Sequence, residues 1–191
     1  MSTLNLTASI TALVLIDLQN AIVARELAPH PSSLVVQNSR KLAEAVRAAG
    51  GTVVYVHVDL AGILQPTVDA PRAPSDSPPP PVSANDLVPE AGFQTGDFLV
   101  TKRHWGAFYA TDLDQHLRRH RVKTIILGGI ATNYGVESTA RAAAERAYEQ
   151  VFVEDAMTSF SAEAHGFSIK NILPRLGRIR STAEVIAALA R

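Results

Sequence analysis

Thr124-Ile125-Ile126-Leu127-Gly128-Gly129-Ile130-Ala131-Thr132-Asn133-Tyr134-Gly135-Val136-Glu137-Ser138-Thr139-Ala140 reads as a buried strand, a glycine-bearing turn and the opening of a helix. After Thr124 the strand offers only apolar side chains to either face, as expected of a strand covered on both sides in a parallel sheet. The turn sets a helix start at the carboxyl end of that strand, where unpaired backbone N–H groups gather. Gly128 and Gly129 allow close backbone approach there, so the turn is a candidate anion or oxyanion pocket. A helix start that only caps its own strand is the plainer alternative.

The same alternation extends along the chain. Short apolar runs recur at Thr11 to Ile16, Thr52 to Val58, Phe98 to Thr101 and Val151 to Glu154, and a sixth strand fits Arg178 to Arg180. Leu34, Val35, Leu42, Ala45 and Val46 follow helical spacing over Ser33 to Ala49 and stop at Gly50-Gly51. Thr111-Asp112-Leu113-Asp114 and Ser181-Thr182-Ala183-Glu184 read as capping boxes that start two helices. Val136 to Tyr148 is alanine-rich, and Ala162 to Leu173 ends at Pro174, which adds two more helices. The order predicts an α/β fold: a three-layer αβα arrangement around an open, mostly parallel six-stranded sheet.

At 191 residues and 47% hydrophobic content, the chain is expected to form one domain over residues 1–191 with a core that needs no staples. The outlier is a proline-rich loop at about residues 60–96, with Pro78 to Pro81 consecutive. Its place between two strands of one sheet predicts an ordered excursion over the carboxyl edge of the sheet or into a subunit interface; a mobile surface loop is the alternative. Lys and Arg number 18 against 18 Asp and Glu, with no run of one sign, so neither nucleic acid nor a membrane is an expected partner. A small molecule and further copies of the chain are. There is no cysteine, which removes thiolate chemistry and disulfides. With no charged-then-apolar leader at Met1 to Ala12 and no apolar stretch of spanning length, a cytoplasmic protein is expected.

In an open α/β sheet, ligands bind beyond the carboxyl ends of the strands. Asp17 closes the first strand, in Leu13-Val14-Leu15-Ile16-Asp17-Leu18-Gln19-Asn20, and Lys102 closes the third, in Leu99-Val100-Thr101-Lys102-Arg103. An aspartate directly after an apolar run needs a partner; a loop amide would serve as well as a cation. If the two meet, the ammonium lowers the aspartate's pKa while burial raises it. Candidate pocket residues are Gln19, Tyr134, Trp105 and Phe108, although Trp105, Phe108 and Tyr109 equally suit packing against a neighbouring helix or subunit. Thr132, Tyr134 and Ser138 lack a nearby histidine with an orienting carboxylate, so capping or packing is their expected role. No metal or other cofactor is expected, at His57-Val58-Asp59 or elsewhere. His165 is expected at the surface or an interface.

These segments together resemble the isochorismatase-like hydrolase superfamily, whose cysteine-using members carry an Asp, Lys, Cys triad. The resemblance rests on the Asp17 segment, on Lys102-Arg103-His104-Trp105-Gly106-Ala107-Phe108-Tyr109-Ala110-Thr111-Asp112-Leu113, and on Gly129 to Ala140 continuing to Val153-Glu154-Asp155-Ala156. It covers nearly the whole chain in order and implies the Rossmann-like isochorismatase fold. It also implies a cis peptide at Ile130-Ala131 and self-association as a dimer or larger. The nucleophile's place is held by Gly135, so the covalent amidase route is not expected, and the chain resembles members that lack the cysteine. By that resemblance Asp17 is the acid of a vinyl-ether hydrolysis, Lys102 is its electrostatic partner, and the amides near Ala131 and Gly135 hold a substrate oxygen. The rival expectation is a catalytically retired binding or regulatory protein that keeps the pocket.

Overall fold

The computed structural model describes residues 4–63, 66–70, 78 and 80–190. Strands β1 (Thr11–Ile16), β2 (Thr52–Val58), β3 (Phe98–Lys102), β4 (Thr124–Ile130), β5 (Glu149–Thr158) and β6 (Arg178–Arg180) form one sheet in the order β3-β2-β1-β4-β5-β6. Every neighbouring pair is parallel, where a mostly parallel sheet was expected. The helices are α1 (Asn20–Val23), α2 (Ser32–Ala48), α3 (Leu113–Arg119), α4 (Glu137–Glu145), α5 (Ala162–Phe167) and α6 (Thr182–Leu189).

Alternation along each strand divides the core into two sheets of side chains. Leu13 and Leu15 of β1, Val53 and Tyr55 of β2, and Val151 and Val153 of β5 pack with Leu42 and Val46 of α2 and Val185 of α6. Their neighbours Val14, Ile16, Val54, Val56, Leu127 and Phe152 face the other way, onto Leu113 and Leu117 of α3 and Ala140 and Ala143 of α4. Each Val, Leu, Ile or Phe among them contributes about 1.5–3 kcal/mol by leaving water. This double cover is why the central strands are apolar on both faces. The outer strands are less covered: Leu99 and Thr101 of β3 are exposed, and β6 is three residues long with arginines at both ends.

Some elements depart from the sequence expectation. β4 and β5 run longer than their apolar runs, because Gly128 and Gly129 stay paired with β1 and Gly129 and Ile130 pair with Met157 and Thr158 past a register shift between Leu127 and Gly129. The capping box at Thr111 does not form. Its hydroxyl donates to Ala107 O, and α3 begins after Asp112 with no side-chain cap. At Ser181 the box is complete, and Asp155 Oδ1 also accepts from both Thr182 N and Thr182 Oγ1. The helix expected to Leu173 leaves α-geometry at Ser168 for a wider π turn and then a 3₁₀ turn at Leu173–Arg175.

Pro71, Pro74 and Pro79 of the proline-rich loop lie outside the described residues. From Val82 to Gly92 the loop is tied down over the carboxyl ends of β1 and β2, on the edge where an ordered excursion was expected. Gln19 is the pin: its amide nitrogen donates to Val58 O and Ala84 O, and its Oε1 accepts from Val58 N at 2.7 Å. Val88 N donates to Leu18 O, and the Tyr55 hydroxyl donates to Ala91 O at 2.7 Å. No helix among the described residues is long and apolar enough to cross a membrane.

Candidate functional site

The sheet order reverses at β1, whose neighbours β2 and β4 lead to opposite edges. A crevice opens at that point beyond the carboxyl ends of the strands, as the topology dictates. It is a cavity of about 880 Å³, walled on one side by Asp17, Lys102, Ala131 and Gly135.

Asp17 follows the last residue of β1, and its backbone turns sharply there, with φ of 53°. Its amide still donates to Val56 O at 2.8 Å, so the carboxylate is aimed into the crevice by the sheet itself. Lys102 is the last residue of β3. Its Nζ donates to Asp17 Oδ2 at 2.8 Å and to His104 O at 3.2 Å. Asp17 is 6% exposed and Lys102 2%, so the ion pair is withdrawn from water and each charge depends on the other.

The third wall is the turn from β4 into α4. Gly129 has φ of 115°, and a Cβ there would lie 2.2 Å from Ile16 O, so only glycine lets β4 lie against β1 at this point. The Ile130–Ala131 peptide is cis, and Thr132–Val136 then forms a π turn before α4 begins. Gly135 sits in that turn without a left-handed backbone. A Cβ added to it would stand 3.4 Å from Asp17 Oδ2 and 2.9 Å from Ile16 Cγ2. A side chain at this position would therefore point at the Asp17–Lys102 pair, into space that Ile16 partly fills. Gly135 O accepts from Thr139 Oγ1, which accepts from Ala107 N at 3.1 Å, tying this turn to the segment after Lys102.

Across the cavity, Trp105 and Tyr134 meet edge to face at 4.9 Å, and Tyr134 reaches Phe160 at 6.2 Å. The guanidinium of Arg25 lies 4.5 Å over the Phe160 ring. Arg25 has no carboxylate partner among the described residues, whereas Arg103, also on the cavity, is held by Asp59 at 3.1 Å. The lining is thus aromatic and aliphatic with cationic points, which suits a small organic anion. Arg25 and Phe160 were missed from sequence, where nothing in their own segments marks them.

Two sequence-predicted pocket residues stand elsewhere. Phe108 is buried in the core under α3 and α4, stacked on Tyr148 at 6.0 Å, because the chain after Gly106 turns that ring inward. Gln19 is fully buried as the loop pin and does not line the cavity. Trp105 and Tyr134 do line it. His57 is committed to Asn85 O and Thr101 Oγ1. His165, expected at the surface or an interface, is buried within the chain itself. It is 3% exposed, with Nδ1 2.9 Å from Thr132 Oγ1 and Nε2 3.2 Å from Glu154 Oε1. Hydrogen bonds from His165 and then His30, which outweigh the opposing effect of burial, hold the Glu154 carboxyl down at about 2.

Residues 11–184 match the Isochorismatase domain family. The chain is 47% identical over 189 residues to the isochorismatase family protein YwoC of Bacillus subtilis (strain 168), covering 97% of each chain. It is 43% identical over 198 residues to the isochorismatase family protein YecD of Escherichia coli O157:H7, covering 97% of this chain and all of that one. An isochorismatase family protein from Burkholderia thailandensis has a similar structure, with a TM-score of 0.91 at 43% identity over 99% of this chain and 98% of that one.

Proposed function

The chain belongs to the isochorismatase family, and on that premise we propose that it is a hydrolase that acts on a small anionic organic substrate without a cysteine nucleophile. The observation that carries this is the buried Asp17–Lys102 pair, 2.8 Å apart, facing the cavity beside a glycine where a nucleophile's side chain would stand. A covalent route has no sulfur to use, since the chain has no cysteine.

The reaction that fits these groups is hydrolysis of a vinyl ether of the enolpyruvyl type. The Asp17 carboxyl gives its proton to the terminal methylene carbon, and the alkene's electron pair forms the new C–H bond. The positive charge left on the ether-bearing carbon takes up water, whose proton returns to Asp17. The hemiketal then expels the alcohol and leaves pyruvate. Lys102 orients the carboxyl and balances the charge that remains after the first transfer. An incoming substrate carboxylate places negative charge near Asp17 and favours its protonated form. Arg25 supplies a counter-charge on the aromatic wall, and backbone amides of the turn around Ala131 and Gly135 hold a substrate oxygen. A cytoplasmic setting and a homo-oligomeric state complete this reading.

The test is pyruvate release from isochorismate by the wild-type chain and by Asp17→Asn, with the products identified by NMR. Turnover that falls by about 10²–10⁴ in the variant supports general-acid catalysis by Asp17. No turnover by the wild type removes the vinyl-ether assignment.

A further inference from the structure

Away from the cavity, three side chains from separate segments converge on one point. His30 comes from the loop before α2, Glu154 from the middle of β5 and His165 from α5. His30 Nε2 lies 2.8 Å and His165 Nε2 3.2 Å from the same Glu154 oxygen. The three candidate donor atoms all lie within 4.8 Å of one another. The two rings meet edge to face at 89° with centroids 5.7 Å apart, so their nitrogens are directed at the carboxylate and not stacked beside it.

The far side of His165 is held by a second group. Its Nδ1 is 2.9 Å from Thr132 Oγ1, and that hydroxyl oxygen is 3.0 Å from Thr158 O. With the hydroxyl hydrogen on Thr158 O, the threonine oxygen accepts from Nδ1–H; with it turned to Nδ1, the ring proton lies on Nε2 and goes to Glu154. In the first arrangement Nε2 of a neutral ring is a bare lone pair facing a carboxylate oxygen, and in the second it donates a hydrogen bond to it. In the first arrangement two acceptors 3.2 Å apart repel unless a second proton or a metal cation lies between them. A metal-binding histidine has this arrangement, in which its other N–H is held by a second group that fixes ring and tautomer.

We propose that His30, Glu154 and His165 form a binding site for a divalent transition metal of the zinc class, with two imidazoles and one carboxylate as ligands. Tetrahedral bonds of about 2.0–2.1 Å put ligand atoms about 3.3 Å apart, close to the 3.2 Å between His165 Nε2 and Glu154 Oε1 and wider than the 2.8 Å at His30. His30 and Glu154 keep partial access to solvent, which leaves room for water as a fourth ligand and a path for the ion. The adjustment needed falls on His30, in a surface loop. Thr158 Oγ1 donates to His30 O at 2.8 Å, so Thr158 supports both histidines. The metal also reaches the cavity: His165 holds Thr132, the residue after Ala131 in the cavity wall. An ion at the cluster would stiffen the turn that presents Gly135 to Asp17. This differs from the sequence expectation of no metal, because the three ligands have no shared motif.

The test uses untagged chain stripped with EDTA and titrated with Zn²⁺ by calorimetry and with Co²⁺ by visible absorption. One equivalent per chain is expected, with the intense absorption of tetrahedral Co²⁺. His30→Ala, a change in a surface loop that leaves the core intact, should weaken binding at least tenfold. Thr132→Val keeps every ligand and should weaken it by about 10- to 100-fold, while His57→Ala should bind as the wild type does. Absence of stoichiometric binding, an affinity unchanged in His30→Ala, or loss of the metal in His57→Ala would each overturn the site. A doubly protonated His165 seen by ¹⁵N NMR in stripped chain that takes up no metal would show that the cluster holds a proton instead.

Discussion

Asp17 and Lys102 can be separated energetically because both are buried and their contact is direct. Removing one member of such a pair leaves the other charged and dry, which costs about 3–5 kcal/mol. Lys102→Met and Asp17→Asn should each lower stability, the lysine change by an amount in that range, and the double variant should be far less destabilised than their sum. Chemical denaturation of the four proteins gives the coupling directly. Gly135→Cys is the complementary change. Its Cβ must displace Ile16 Cγ2, which is packed in the core, so a loss of about 1–3 kcal/mol is expected. The new thiol should nevertheless lie at the Asp17–Lys102 pair, and gain of amidase activity would show that the rest of a cysteine-type site is intact. At this scale the sequence was informative wherever a residue closes a strand, as Asp17 and Lys102 do. It was silent where direction matters: the ring of Phe108 could face the cavity or the core, and only the turn after Gly106 decides. His165 and Thr132, 33 residues apart, and His30 and Glu154, 124 apart, meet through tertiary contacts that no local pattern records.

Among the elements, β2 and α6 show how side-chain hydrogen bonds fasten the sheet to its surroundings. Burial pushes the Tyr55 phenol up to about 12 from its usual value near 10. The folded state therefore disfavours the tyrosinate, and this contribution is complete below pH 10 and lost as pH rises from 10 through 12. Tyr55→Phe should flatten the stability profile in that window, while losing about 1 kcal/mol at neutral pH with the bond to Ala91 O. Urea midpoints across pH 7–12 would check both parts. In α6, Ser181→Ala removes half of the capping box and should cost about 0.5–2 kcal/mol; Asp155, which holds Thr182 from β5, keeps the helix docked. Strand and helix cores were legible because their periodicities are distinct. Their ends were less so: β4 and β5 continue through residues whose pairing depends on neighbouring strands, and the Thr111 hydroxyl donates back to Ala107 O and accepts only from Leu113 N, with no reciprocal box at Asp114.

For the whole molecule, the alternation of apolar runs and helices was enough to place three layers and the strand ends that meet at β1. It did not foresee that Gln19 would spend its amide holding the loop over β1 and β2. An oligomer, dimer or larger, is the expected state in solution, and a monomeric mass by light scattering would contradict it. The two edges of the sheet are unequal. β6 is three residues long, flanked by arginines, and a poor template for another strand, whereas β3 is longer and shows Leu99 and Thr101 to solvent. A sheet that can be extended from one side only has no way to propagate. Strand pairing between chains would close after two copies, edge to like edge, and the fold carries in its shortest strand a safeguard against growing into a fibre.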